Sequence, residues 1–147
     1  MTVRMIDHIN IETYDLDRTV RFYSDALDLR AGPRPSFTFP GAWLYAGDSA
    51  VVHLNHLTGD RAKARAKKQP KDTGAINHFS FASTGYDEQI KRLKKHAIDY
   101  ETRDVPGRDL RQIFFLDPNG VKIELTFAGE AKAKPKAKAR AMAEATA

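Results

Sequence analysis

The sequence contains no cysteine in its 147 residues. A disulfide framework, a thiolate metal site and a thiol nucleophile are therefore excluded. The chain also lacks an uninterrupted apolar run of about 18 residues, so neither a membrane-spanning helix nor a membrane partner is predicted. The first residues contain no apolar signal-peptide core. These absences favour a cytoplasmic protein.

Acidic residues are fewer than basic ones, and the net charge at pH 7 is +5. Residues 129–147 hold five Lys and Arg residues but only two Glu, so this tail carries more than half of the net charge. The tail alternates Ala with Lys and has no apolar stripe, and we expect it to be disordered. Because the remaining residues are nearly balanced in charge, no specific nucleic-acid partner is predicted.

Apolar residues make up 41% of the chain, and their spacing reveals an internal repeat. In the first half, alternation and helical spacing predict a helix at 15–28 and strands at 5–12, 42–46 and 50–55. In the second half they predict a helix at 85–96 and strands at 76–82, 98–103, 110–116 and 121–127. Asp15 is the expected N-cap of the first helix, and Ser83 or Thr84 that of the second. The order predicts an α+β fold of two βαβββ modules.

The repeat divides the chain into four segments: a first module at 1–57, a basic linker at 58–74, a second module at 75–128 and the tail at 129–147. The linker is rich in Arg and Lys and poor in large apolar residues. We interpret it as a solvated connector with room for a short exposed helix, and a basic lid over an anionic substrate is the alternative.

The repeat also pairs four candidate metal ligands. Aligning the first strands places His8 opposite His78, and aligning the last strands places His53 opposite Glu124. Imidazole nitrogen and carboxylate oxygen suit a divalent cation, and a curved sheet directs alternate side chains onto one concave face. Burying Glu124 alone would cost several kcal/mol, so it needs a cation or good hydrogen bonds. We predict one divalent ion bound by His8, His78 and Glu124, and we include His53 as a fourth ligand or a nearby acid/base group.

Four stretches carry a resemblance to a known family. They are Asp-His-Ile-Asn-Ile at 7–11, Asp-Leu-Asp-Arg-Thr-Val-Arg-Phe-Tyr at 15–23, Ile-Asn-His-Phe-Ser-Phe at 76–81, and Phe-Leu-Asp-Pro-Asn-Gly-Val-Lys-Ile-Glu-Leu at 115–125. With these stretches the chain resembles the vicinal oxygen chelate superfamily, which contains glyoxalase I, methylmalonyl-CoA epimerase, extradiol dioxygenases and fosfomycin-modifying enzymes. The resemblance covers residues 5 to about 127.

The resemblance implies a cupped mixed sheet around one metal ion, with Fe, Mn, Ni, Co or Zn as candidates. It places the ligands at His8, His53, His78 and Glu124, although glyoxalase I and the epimerase usually have Glu or Gln where this chain has His53. It further implies a homodimer and a small substrate with vicinal oxygens. In a glyoxalase-like reaction Glu124 would act as the base, with His53 as the second catalytic candidate. Arg111, with Asp109 and Gln112, is expected to line the cup and contact the substrate. Trp43 and Tyr45 are expected to form a wall for an aromatic substrate, although core packing is the alternative role of at least one of these two rings.

Three functions remain open on this basis. The first is a metal-dependent lyase or isomerase of the glyoxalase or epimerase kind. The second is an Fe(II)-dependent extradiol ring-cleaving dioxygenase, which needs only two His and one carboxylate. The third is a metal-free binding protein of the bleomycin-resistance type, against which the retained His8, His78 and Glu124 argue.

Overall fold

A computed structural model describes residues 2–68 and 73–130. The elements of the first module are β1 (Ile9–Thr13), α1 (Leu16–Leu27), β2 (Arg30–Gly32), β3 (Gly41–Ala46) and β4 (Ser49–His56). Helix α2 (Gly59–Lys67) follows in the predicted linker. The elements of the second module are β5 (Phe79–Ala82), α3 (Tyr86–Lys95), β6 (Glu101–Asp104), β7 (Leu110–Leu116) and β8 (Lys122–Ala128). The predicted α+β fold of two βαβββ modules is confirmed.

Each module forms its own four-stranded mixed sheet. The strand orders are β1-β4-β3-β2 and β5-β8-β7-β6, and the pairs β1–β4 and β5–β8 are parallel. In the first sheet Asn10 pairs with His53, and in the second Ser80 pairs with Glu124. Asn10 follows His8 by two residues, as Ser80 follows His78, so the two candidate pairs occupy equivalent registers.

The helices of the two modules begin in different ways. Asp15 caps α1 as predicted, because its carboxylate accepts a hydrogen bond of 3.0 Å from the backbone N–H of Arg18. Neither Ser83 nor Thr84 caps α3, so that prediction is wrong. The residue at the cap is Gly85, in the left-handed region, and the carboxylate of Glu130 accepts from the N–H groups of Gly85 and Tyr86 at 2.9 and 2.8 Å.

The modules pack through their helices around one shared core. Helices α1 and α3 lie against each other, and Gln89 of α3 donates a 2.7 Å hydrogen bond to the carbonyl of Ala26 in α1. Buried apolar side chains from both sheets fill the core, among them Leu54 and Leu125. Each sheet thus covers the helices with one face and leaves its other face free of them.

A buried polar network also joins the modules. The β7–β8 turn contains Asp117, whose carboxylate accepts from the hydroxyl of Tyr23 in α1 at 3.2 Å. Asn119 of the same turn donates to Asp117 and to Thr19 of α1. Burial and the neighbouring Asp117 raise the pKa of Tyr23, so its hydroxyl stays protonated and donates. The predicted turn at 117–120 therefore also ties the second module to the first helix.

Several predicted boundaries differ from the structure. The first strand begins at Ile9 rather than at residue 5, and His8 and His78 immediately precede their strands. Strand β2 has no counterpart among the ranges predicted from periodicity, because three exposed residues carry no alternation signal. The tail prediction is wrong at residues 129 and 130, because Glu130 caps α3; residues 131–147 lie outside the described part. Among the described residues, no helix is both long enough and apolar enough to cross a bilayer.

Candidate metal centre

The first half of the candidate site lies on the free face of the first sheet. The rings of His8 and His53 stack with centroids 3.7 Å apart and an interplanar angle of 19°. Trp43 is the cross-strand partner of His53 and stacks on its other side at 4.1 Å and 5°. His53 is therefore held between His8 and Trp43, which are the other two site residues predicted for this module.

The second half occupies the equivalent face of the second sheet. His78 Nε2 lies 2.6 Å from Glu124 Oε2, and the side-chain amide of Gln112 donates to Glu124 Oε1. Phe114 is the cross-strand partner of Glu124 and meets the ring of His78 edge-on at 5.7 Å. Glu124 is 5% exposed, so its contacts are with protein groups rather than with bulk water.

The residue before each of the two strand-entry histidines orients the ring. His8 Nδ1 lies 2.7 Å from the Asp7 carboxylate, and His78 Nδ1 lies 2.8 Å from the side-chain carbonyl oxygen of Asn77. An oxygen acceptor at Nδ1 places the proton on that nitrogen and leaves the Nε2 lone pair available, which is the usual arrangement of a metal-binding histidine.

This tautomer provides a test of whether the residues fit a cation. A ring of His78 that carries its proton on Nδ1 directs the lone pair of Nε2 toward the carboxylate of Glu124. Two acceptor atoms at 2.6 Å repel each other unless a proton or a cation lies between them. The donor set of imidazole nitrogen and carboxylate oxygen therefore fits a divalent metal ion.

The protonation of His53 also suits a ligand. Burial lowers the pKa of His53, and the positive charge that His8 can carry lowers it further; the backbone carbonyl of Ala50 acts in the opposite direction. A lowered pKa keeps the imidazole neutral at physiological pH, and only the neutral ring has a lone pair to give to a metal.

The two pairs do not meet within one chain. Among residues 2–68 and 73–130, no three His, Asp or Glu side chains come together as a group able to hold a metal ion. The shared helical layer explains this separation, because each pair lies on the sheet face directed away from α1 and α3. One chain therefore presents two half-sites, His8 with His53 and His78 with Glu124.

The prediction that Arg111 contacts the substrate does not fit its placement. Arg111 pairs with Phe127, whereas Glu124 pairs with Phe114, so Arg111 and Glu124 point to opposite faces of the second sheet. The buried guanidinium of Arg111 lies over the ring of Tyr86 and donates to the backbone carbonyl of Glu130. We assign Arg111 to the packing of α3 instead.

The structure adds residues that the sequence did not single out as parts of the site. Asp7 and Asn77 orient the two histidines, and the signal was present as an oxygen-bearing side chain directly before each. The sequence indicates Gln112 only as a residue that lines the cup, whereas its side-chain amide donates a hydrogen bond to Glu124. Its role follows from counting residues from the turn at 117–120, because Gln112 has the same parity as Glu124.

Comparisons with known proteins identify the family of this chain. The sequence model of the family described as the Glyoxalase/Bleomycin resistance protein/Dioxygenase superfamily matches residues 5–125. A relative named Glyoxylase I 4 from Arabidopsis thaliana is 32% identical over 126 residues, which are 82% of this chain and 68% of that protein. Metallothiol transferase FosB from Staphylococcus epidermidis is 24% identical over 85% of this chain and 82% of its own length.

A solved structure of a related protein has the same fold. The trypanothione-dependent glyoxalase I of Leishmania major superposes with a TM-score of 0.60 at 26% identity, covering 84% of this chain and 86% of that one. Two βαβββ modules in one chain define a class of small α+β proteins. The chain belongs to the glyoxalase/bleomycin resistance protein/dioxygenase superfamily.

Proposed function

We propose that this protein is a divalent-metal-dependent lyase or isomerase that acts on a small molecule with vicinal oxygens. The ion is held by His8, His53, His78 and Glu124. The observation that carries the proposal is the pair of equivalent half-sites, each with a ligand at the entry of the first strand and another on the last strand. The likeness to a glyoxalase I sequence favours this reaction class over the other activities of the superfamily.

We further propose that the complete centre forms between two copies of the chain. The outer edge strands beside the half-sites, β1 and β5, are unpaired on one side within the described chain. Exposed apolar side chains precede both edges, with Val3, Met5 and Ile6 before β1 and Ile76 before β5. A two-fold dimer that joins β1 of one copy to β5 of the other would cover these residues. It would also bring His8 and His53 of one copy to His78 and Glu124 of the other.

The residues of the site then have distinct tasks. The metal ion, when bound, polarises the adjacent oxygens of the substrate and stabilises the negative charge that develops on them. Glu124 Oε2 accepts the proton from a carbon that bears one of these oxygens and delivers it to the adjacent oxygen-bearing carbon, while Gln112 holds Oε1 in place. His53 stays neutral, and Trp43 forms a flat wall beside it.

Mixing two inactive variants tests the shared centre. The double variant His8→Ala/His53→Ala removes the first half-site, and His78→Ala/Glu124→Ala removes the second. Each is expected to lose tight Co²⁺ binding, measured by equilibrium dialysis and by the visible spectrum of bound cobalt. After subunit exchange, half of the dimers are mixed, and one of their two sites is intact. About a quarter of the wild-type metal capacity should therefore return.

The outcomes are distinct. A site built within one chain would regain no capacity on mixing, which would contradict the two-copy arrangement while leaving metal binding intact. Wild-type protein that retains less than about a tenth of an equivalent of metal, and whose melting temperature does not fall with a chelator, would exclude the metal centre. That result would favour a metal-free binding protein of the bleomycin-resistance type.

An extradiol ring-cleaving dioxygenase is the second candidate, and one observation favours it. His53 is packed between His8 and Trp43, and a ring that stays in this stack would leave a two-His-one-carboxylate site suited to Fe(II). If His53→Ala keeps full metal occupancy and iron restores cleavage of catechol, the dioxygenase replaces the lyase or isomerase. Loss of occupancy by about tenfold or more supports the four-ligand centre.

A cytoplasmic location, a small-molecule substrate and the homodimer remain predictions that accompany this proposal. The dimer is measured directly by light scattering of the full-length chain. The variant Ile6→Asp, placed in the exposed apolar segment before β1, is expected to weaken it and the metal centre together. A monomeric wild-type protein that binds one equivalent of metal would contradict the shared site.

A further inference from the structure

Next to the first half-site, a loop exposes two aromatic rings to solvent. Phe37 and Phe39 are 46% and 42% exposed, and their rings stack with centroids 5.2 Å apart. Phe37 lies 6.3 Å from Trp43, which in turn stacks on His53. The rings therefore form a continuous aromatic wall, which we define as Trp43, Phe37 and Phe39, starting at the candidate ligand His53.

An arginine lies at the far end of this wall. The guanidinium of Arg34 sits over the rings of Phe37 and Phe39, at 4.6 and 5.0 Å from their centroids. It has room there because Gly41 lacks a side chain; a Cβ at Gly41 would lie 3.2 Å from Arg34 Nη2. The geometry fixes a positive charge at the rim of the aromatic wall.

The guanidinium of Arg34 uses only part of its hydrogen-bonding capacity. Arg34 Nη2 donates to the backbone carbonyl of Phe39 at 3.0 Å, whereas Arg34 Nε is buried with no hydrogen-bond partner in the described part of the chain. None of the ion pairs among the described residues involves Arg34, which is half-buried, whereas the buried Arg111 lies near two carboxylates. A buried cationic donor without a partner costs free energy that an anionic ligand can recover.

The second half-site repeats the motif in a simpler form. Phe114 occupies the position equivalent to Trp43, since each is the cross-strand partner of the last-strand ligand. The guanidinium of Arg103 lies 5.4 Å from the centroid of Phe114. Each half-site therefore combines its ligands with an aromatic ring and an arginine, and two facing halves would present rings on both sides of a bound molecule.

From this arrangement we propose that the site takes a flat aromatic molecule carrying an anionic group such as a carboxylate, with the ring against Trp43, Phe37 and Phe39 and the anion at Arg34. This inference deepens the proposed function, on which it rests, by naming the substrate class. An aliphatic substrate would leave both Phe rings exposed and Arg34 unpaired. Offset ring stacking and a charge-assisted hydrogen bond each favour the aromatic anion.

Three small probes separate the ring from the charge. Mandelate has a ring and a carboxylate; lactate lacks the ring, and 1-phenyl-1,2-ethanediol lacks the charge. Trp43 is the only tryptophan of the chain, so its fluorescence reports on binding at the wall. In the metal-free full-length protein, where the carboxylate cannot chelate a metal ion, mandelate should bind about tenfold more tightly than either of the others, with lactate measured by competition.

Two variants separate the contribution of the Arg34 charge from that of the aromatic rings. Arg34→Gln should weaken mandelate by about tenfold and leave the diol unchanged, because only the charge contact is lost. The double variant Phe37→Leu/Phe39→Leu keeps apolar bulk but removes the flat rings, and it should weaken mandelate and the diol but not lactate. Arg21→Gln in α1 is the matched control, since Arg21 is exposed on the helix that covers the opposite face of the sheet, and it should change nothing. Circular dichroism checks that each variant is folded.

The results separate this inference from the proposed function. Normal cobalt loading with equal affinities for mandelate and lactate overturns the aromatic-anion subsite and leaves the metal centre standing. If cobalt does not load, phenylacetate is titrated into the metal-free protein. Binding that Arg34→Gln weakens supports the subsite, and no binding overturns it.

Discussion

The last strand of the first module carries His53 at the register where the last strand of the second module carries Glu124. His53 is stacked between two rings, whereas Glu124 is held by a hydrogen bond from Gln112. At the position equivalent to Gln112 the first module has Gly41, over which Arg34 lies. The repeat thus keeps the candidate site residues at equivalent positions. Their neighbours differ, so the two halves surround these residues with different chemical groups.

The difference suggests that the two modules contribute different chemical groups to the site. The second module places a carboxylate where it can both bind a cation and move a proton. The first module contributes two imidazoles and an aromatic wall. A variant that removes one residue of an equivalent pair should therefore have an effect that depends on the module, and the following predictions run from the largest expected effect to the smallest.

Removing the carboxylate of Glu124 should have the largest effect. Glu124→Ala is expected to lower metal affinity by more than about 100-fold and to abolish activity, because it removes both a charged ligand and the proposed base. The measurement is metal content after dialysis, together with turnover. Glu88→Ala is the matched control, since Glu88 is exposed on α3, away from the site face of the sheet, and should retain metal. Equal loss in both variants would contradict the ligand assignment.

The two turns before the last strands offer the second test. Asp117→Ala removes the acceptor of four hydrogen bonds in the buried network between the modules, and it should lower the free energy of unfolding by about 2–4 kcal/mol. Asp48 in the equivalent turn of the first module is exposed, and Asp48→Ala should stay within about 0.5 kcal/mol of wild type. Urea denaturation measures both.

The pH dependence of this difference has a defined sign. Burial raises the pKa of Asp117 above its ordinary value of 3.8, so the folded state binds the proton more tightly than the unfolded state. The ionised side chain carries a burial cost at neutral pH, and protonation relieves it. The deficit of Asp117→Ala should therefore grow as the pH falls through the raised pKa toward 3.8. A deficit that shrinks over this range would contradict the raised pKa.

The third test concerns the residue that holds Glu124. Gln112→Ala is expected to weaken metal binding by about 10- to 100-fold without removing any ligand, as is usual for a residue that orients one. Gln112→Glu keeps the size of the side chain but places a carboxylate beside Glu124, so it should weaken binding as well. Isothermal titration with Co²⁺ measures both variants. Unchanged affinity in Gln112→Ala would show that Glu124 holds its position unaided.

The helix caps give the smallest expected effect. Asp15→Ala in the first module should cost about 1 kcal/mol of stability. Glu130→Gln in the second should cost less, because the amide still offers one acceptor oxygen to the N–H groups of Gly85 and Tyr86.

These N–H groups lower the pKa of Glu130 from 4.5, so its contribution to stability is present above pH 4.5 and is lost as the pH falls through the lowered pKa. Melting temperatures of wild type and Glu130→Gln should converge below that point, and a constant gap would contradict the cap.

The sequence was sufficient for the modules because period, turns and caps are local properties. Alternation identified the strands at 110–116 and 42–46 nearly to the residue, and Asp15 was recognisable as a cap from its position alone. The cap of α3 was not recognisable, because Glu130 reaches it from about 45 residues away. Arg111 was misplaced for a related reason, since the face on which a strand residue lies depends on the register of its partner.

The sequence by itself determined the two-module α+β fold, the internal repeat and the equivalence of His8 with His78 and of His53 with Glu124. Only the tertiary structure decided that these four residues form two separate pairs, because the packing of α1 against α3 directs the site faces of the sheets away from each other. It also decided what surrounds each pair, from the aromatic wall at His53 to Gln112 at Glu124. Strand period and spacing indicate the candidate ligands, whereas their convergence depends on contacts between segments far apart in the chain.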